Sequence, residues 1–85
     1  MKIFRTEIFK KEYKRLPQQI QKITDKKLRF FITNPRHPSL RVKKIKGCLN
    51  IWEASVTMDY RFTFQMKENV FILCKIGTHK ILQKP

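Results

Sequence analysis

The chain has 85 residues, of which 20 are Lys or Arg and only 6 are Asp or Glu, giving a formal net charge of +14. So short a chain has surface for one modest core, which excludes a two-domain reading of residues 1–85. An excess of one sign on this scale opposes the compact state by self-repulsion, so a polyanion or an acidic protein is a better explanation than solubility alone.

In chain order, residues 1–5 read as a short first strand, with Met1 and Ile3 apolar and Lys2 and Arg5 basic. Charged residues continue through Glu7, Lys10 and Lys11, which interrupts any signal-peptide core, and no apolar run is long enough to span a bilayer. Thr6 offers a side-chain oxygen to cap a helix beginning near Glu7, in which Phe9, Tyr13 and Leu16 recur at helical spacing. Pro17 suits the first turn of a second helix. There Ile20, Ile23, Phe30 and Phe31 share one apolar face, and Lys22, Lys26 and Arg29 the opposite one. Together with Lys10, Lys11 and Lys14 those cations form a basic outer surface on a helical hairpin. Asn34 to Ser39 holds two prolines and reads as a loop that ends the helical part of the chain.

Beyond the loop the period changes. A weak strand is expected over Arg41–Lys46, ending at Gly47. Trp52, Ala54 and Val56 alternate with Glu53 and Ser55, and Tyr60, Phe62, Phe64 and Met66 alternate with Arg61, Thr63 and Gln65, as in two half-buried strands. Val70–Ile76 is apolar on both parities and reads as a strand covered on both sides. The order β-α-α-β-β-β describes an α+β domain of two layers, with the N-terminal helical hairpin packed on one face of a mainly antiparallel sheet. Alternation then leaves Arg61, Thr63, Gln65, Glu53 and Ser55 on the face without helices, expected to be exposed. Cys48 and Cys74 lack the paired spacing of a zinc site or a disulfide framework, which predicts reduced thiols, no metal and a cytoplasmic protein.

The segments Leu40–Gly47, Trp52–Val56, Asp59–Phe62 and Gly77–His79, with Leu16-Pro17 and Asn34-Pro35 before them, resemble the RelE/ParE superfamily of toxins in order and spacing. The resemblance covers almost the whole chain. It implies a RelE-like fold, an acidic antitoxin as cognate partner and, in the ribonuclease branch, cleavage of messenger RNA on the ribosome, which inhibits translation. In that branch a strand arginine, matched by Arg61, stabilises the scissile phosphate; in the YafQ-like and YoeB-like subgroups a C-terminal histidine, matched by His79, is the general acid. The lysine pair of RelE is replaced by Trp52 and Ala54, and its terminal tyrosine is missing, which favours the histidine subgroup.

The chemistry is consistent with those residue types. Cleaving RNA with neither metal nor small-molecule cofactor requires the 2′-hydroxyl to attack its own phosphate while a cation offsets the growing negative charge. A guanidinium is always charged and can grip two phosphate oxygens. The leaving 5′-oxygen needs a proton, which a histidine can give and regain near neutral pH. Glu53 is the first candidate for the base, with Lys43 and Lys44 as alternatives, and Arg41, Lys43, Lys44 and Lys46 are candidates to seat the RNA backbone. His37, beside Pro38, reads as a turn residue, and Trp52 as core. Two other readings stay open: a ParE-like inhibitor of DNA gyrase, and a catalytically silent homologue that binds RNA or antitoxin without turnover.

Overall fold

A computed structural model describes residues 2–85; Met1, the first residue of the expected N-terminal strand, lies outside them. The elements run β1 (Lys2–Arg5), α1 (Glu7–Lys14), α2 (Gln18–Thr33), a 3-10 turn (Pro38–Leu40), β2 (Lys43–Lys44), β3 (Trp52–Ser55), β4 (Tyr60–Lys67), β5 (Val70–Thr78) and a C-terminal 3-10 segment (His79–Gln83). Thr6 caps α1 as expected: its hydroxyl oxygen accepts from the Phe9 N–H at 3.2 Å and donates to the Leu73 carbonyl at 2.8 Å. One side chain thus starts the helix and ties it to β5. Pro17 sits at the N-cap of α2, one position before its first turn, where its missing N–H costs nothing. The helix ends at Asn34, whose extended backbone is what the following proline demands.

The sheet has the order β1-β5-β4-β3-β2, with β1 parallel to β5 and every other pairing antiparallel. Phe9, Leu28, Phe31, Phe62, Phe64, Phe71, Leu73 and Ile76 are buried between sheet and helices. This is the two-layer β-α-α-β-β-β architecture, with β2 as an additional short edge strand.

Two strands depart from expectation. The strand expected over Arg41–Lys46 shrinks to Lys43–Lys44. Arg41 adopts the left-handed conformation at φ 46°, and beyond Ile45 the chain turns through Gly47 at φ 82° and Asn50 at φ 54°, so only two residues keep extended pairing. In β5 the reading of two covered faces gives way to a bulge. Thr63 pairs with Lys75 but Phe64 with Leu73, so Cys74 is the extra residue and the inward parity shifts from Phe71 and Leu73 to Ile76. The unbroken apolar run conceals a change of face. Beyond the end of β1, the Ile76 N–H finds the Glu12 carboxylate of α1 at 3.1 Å in place of a strand partner.

Candidate active site

Register places Lys43, Glu53, Thr63 and Lys75 in one row across the helix-free face of the sheet, and Ser55, Arg61 and Gly77 in the next. That face is not the exposed surface the alternation suggests. Glu53 and Ser55 are each 7% exposed and Thr63 is fully buried. Part of the cover is the C-terminal segment, which folds back over β4 and β5. Lys75 Nζ donates to the Lys84 carbonyl at 2.7 Å, and a Cβ added to Gly77 would lie 2.9 Å from the Ile81 side chain. Gly77 is therefore the gap that lets the segment lie flat. Gly77→Val is expected to lift residues 79–83 and lower stability by about 1–3 kcal/mol through overpacking, measurable by urea denaturation.

Arg61 is anchored before any substrate arrives. Its Nη1 donates to the carbonyls of Thr57, Met58 (2.8 Å) and Tyr60 (3.1 Å), all in the turn between β3 and β4 or at its end. Its Nε lies 3.9 Å from Glu53 Oε1, an ion pair whose partners are only 19% and 10% exposed in their side chains. Among the described residues no hydrogen bond engages Nη2. The guanidinium is thus oriented through one nitrogen and presents another.

His79 opens the C-terminal segment and is exposed. Its N–H donates to the Asp59 carbonyl at 3.1 Å, and the preceding residue, Thr78, pairs with Tyr60. The same turn that holds the Arg61 guanidinium therefore also holds the His79 backbone. Arg61, Glu53 and His79 belong to one end of the sheet although 26 positions separate the outer two in sequence.

The expected RNA-seating cations do not stay together. Lys43 lies opposite Glu53 on the helix-free face, but Lys44 lies opposite Trp52 and has the other parity. Lys46 is exposed in the turn after β2, and Arg41 lines a groove on the helix side of the sheet with Trp52 and Phe64. Only Lys43 joins the row that contains Glu53. Lys75 joins it unforeseen, because the bulge that sets its direction leaves no trace in composition; the one hint is a lone charge inside an apolar strand. Thr63 Oγ1 is buried in this row with no hydrogen-bond partner.

His37 is the turn residue its setting suggests: Nδ1 accepts from the Ser39 N–H at 3.2 Å, and the ring stacks on Phe30 at 4.5 Å. Trp52 stacks at 6.5 Å on Phe64, against the core. Cys48 and Cys74 are both free, and burial pushes the Cys74 thiol above its ordinary pKa. Among the described residues no group of three His, Cys, Asp or Glu side chains could hold a metal ion. Nor is any helix long and apolar enough to cross a membrane.

No family model matches the sequence, and no curated protein matches it either. Solved structures do match in shape. The YoeB/ParE toxin from Agrobacterium tumefaciens superposes with a TM-score of 0.77 at 16% identity, covering 93% of this chain and 99% of that one. YafQ from E. coli strain BL21(DE3) gives 0.78 at 15% identity, with 94% of each chain covered. The RelB-RelE antitoxin-toxin complex from Methanococcus jannaschii gives 0.72 at 21% identity, again over 94% of each chain. With strand order, helical hairpin and near-complete coverage all in agreement, the chain has the fold of the RelE/ParE toxins.

Proposed function

We propose that this protein is the toxin of a type II toxin-antitoxin system and that it cleaves messenger RNA on the ribosome without a metal ion. The observation that carries the reading is the shared turn at residues 57–60, which orients Arg61 through three carbonyls and holds the His79 backbone through a fourth. Catalysis of this kind depends on groups placed before the reaction, and anchoring through backbone carbonyls supplies that placement.

In the proposed reaction the substrate's 2′-hydroxyl attacks the adjacent phosphorus. The free Nη2 of Arg61 meets a non-bridging oxygen as negative charge develops there. His79, exposed beside the turn, protonates the departing 5′-oxygen. Glu53 has two roles open to it: acceptor of the 2′-hydroxyl proton, and counter-ion that fixes the Arg61 plane. Its burial and its 3.9 Å separation from Nε favour the second, and the 2′-hydroxyl proton then passes to solvent water as the oxygen attacks. Lys43 and Lys75 flank the row and offer charge to neighbouring phosphates. The basic helical surface and the net charge of +14 suit ribosomal RNA and an acidic antitoxin.

A non-catalytic reading has one observation in its favour, since Nη1 of Arg61 is already committed to carbonyls. His79→Ala separates the two. The cleavage reading expects transcript cutting, mapped by primer extension after induction, to fall about 10²–10⁴-fold while binding to ribosomes is retained. Unaltered cutting in that variant would remove His79 from the mechanism, and absence of cutting by the wild-type chain would favour the gyrase or silent readings.

A further inference from the structure

The turn that carries Arg61 and His79 has little packing to hold it. Met58, at its tip, is 85% exposed, and Asp59 is exposed beside it. At the base of the turn the N–H groups of Val56 and Thr57 both donate to the Tyr60 carbonyl, at 2.9 and 3.2 Å. Inside it the next two bonds go to a side chain: the Thr57 hydroxyl oxygen accepts from the Asp59 N–H and from the Tyr60 N–H, each at 3.2 Å. A threonine that accepts from the N–H two residues on makes a local ring of its own, and here the same oxygen takes a second donor as well.

Those two donors belong to the peptide units that hold the candidate catalytic groups. The unit between Met58 and Asp59 gives its N–H to Thr57 and its carbonyl to Arg61 Nη1 at 2.8 Å. The unit between Asp59 and Tyr60 gives its N–H to Thr57 and its carbonyl to the His79 N–H at 3.1 Å. A peptide unit is planar, with N–H and C=O pointing opposite ways, so a constraint on one end sets the direction of the other. Both planes are pinned to one oxygen, and from it one reaches Arg61 and the other His79. The bonds at the base involve neither unit, so they fix where the turn begins and ends but not how its tip is oriented. The partners at the carbonyl ends, a long side chain and the start of the C-terminal segment, are themselves what needs orienting.

We propose that Thr57 is a positioning residue of the candidate site, whose hydroxyl oxygen fixes the two peptide planes that orient the Arg61 guanidinium and the His79 backbone relative to each other. It acts through the turn and needs no contact with RNA. Without the oxygen, the Asp59 and Tyr60 N–H groups can turn to water at this exposed tip, and the two carbonyls turn with them. The effect on cleavage rests on the reading above; the hold on the turn does not.

Thr57→Val keeps the branching at Cβ and removes the oxygen, whereas Thr57→Ser keeps the oxygen. In heteronuclear NMR of the full chain, solvent exchange of the His79 N–H and the Arg61 Nε–H is expected to rise about tenfold in Thr57→Val and to stay near wild type in Thr57→Ser. The Leu73 N–H, in β5 between β1 and β4, should be unmoved in both, which separates a loosened turn from a loosened fold. On programmed ribosomes kcat for transcript cleavage should fall roughly 10–10²-fold in Thr57→Val with KM unchanged, the scale of a small misplacement caused at a distance from the chemistry. Thr57→Ser should restore it. Unchanged exchange at Arg61 and His79 in Thr57→Val would overturn the proposal, as would equal loss in the Val and Ser variants, because shape and not the oxygen would then matter. Faster exchange with wild-type cleavage would overturn it too, since the turn would then have no bearing on the reaction. A wild-type chain that cuts no RNA would defeat the cleavage reading by itself, and the exchange rates would still decide whether Thr57 sets the turn.

Discussion

Replacing Arg61 by Ala is expected to reduce transcript cleavage by about 10²–10³-fold or more, the scale seen when one pre-placed donor is removed from a developing anion. Removal deletes the free Nη2 and with it the only guanidinium fixed on the turn at residues 57–60. Arg61→Lys should recover little, because an ammonium is a point charge that cannot hold carbonyls with one nitrogen and present another to phosphate. Glu53→Gln then divides the roles of the glutamate. As counter-ion its loss loosens Arg61 and lowers activity modestly, whereas as the base its loss approaches that of Arg61→Ala. Single-turnover cleavage on programmed ribosomes measures all three, with thermal melting to confirm folding. Full toxicity of Arg61→Ala would end the nuclease reading.

Phe31→Ala is expected to be the most damaging substitution for stability. Phe31 is fully buried on α2 and meets Phe62 at 5.4 Å, Phe64 at 4.8 Å and Phe71 at 4.3 Å, so it joins the helix to both central strands. A buried Phe→Ala change costs about 3–5 kcal/mol. The aromatic pairs each add roughly 0.5–1.5 kcal/mol beyond buried area. A domain of this size has only about 5–15 kcal/mol in all. Thermal denaturation should show a fall on the order of 20 °C, the shift that several kcal/mol produce in a small domain. A drop of a few degrees would mean that the helix is held by other contacts, and the aromatic cluster would lose its assigned weight.

Local chemistry was legible residue by residue. A hydroxyl before Glu7, a proline after Leu16 and a proline after Asn34 each act within a turn of chain, so the ends of both helices follow from neighbouring residues. The alternation in β3 and β4 likewise placed Phe62 and Phe64 inward and Arg61 and Glu53 on the other face. Where an expectation failed, the deciding contact was distant in the chain. The helix-free face was read as exposed because alternation reports direction and not cover, and part of the cover comes from residues 79–83 folding back over β4 and β5 at Gly77. The bulge at Cys74 reversed the parity of β5 after Leu73, and a uniformly apolar run carries no mark of such a reversal.

The candidate site divides along the same line. That Arg61 and His79 were the groups to watch came from the resemblance to the RelE/ParE toxins, with which their chemistry agrees, and Glu53 was added by its parity with Arg61. That Arg61 and His79 share one turn depends on the β4–β5 pairing, and that Lys43 joins Glu53 while Arg41 leaves for the groove depends on a two-residue edge strand. Propensity, capping and periodicity act over a few residues and are written in the chain; which distant side chains meet is a property of strand register, and it arises only when the sheet closes.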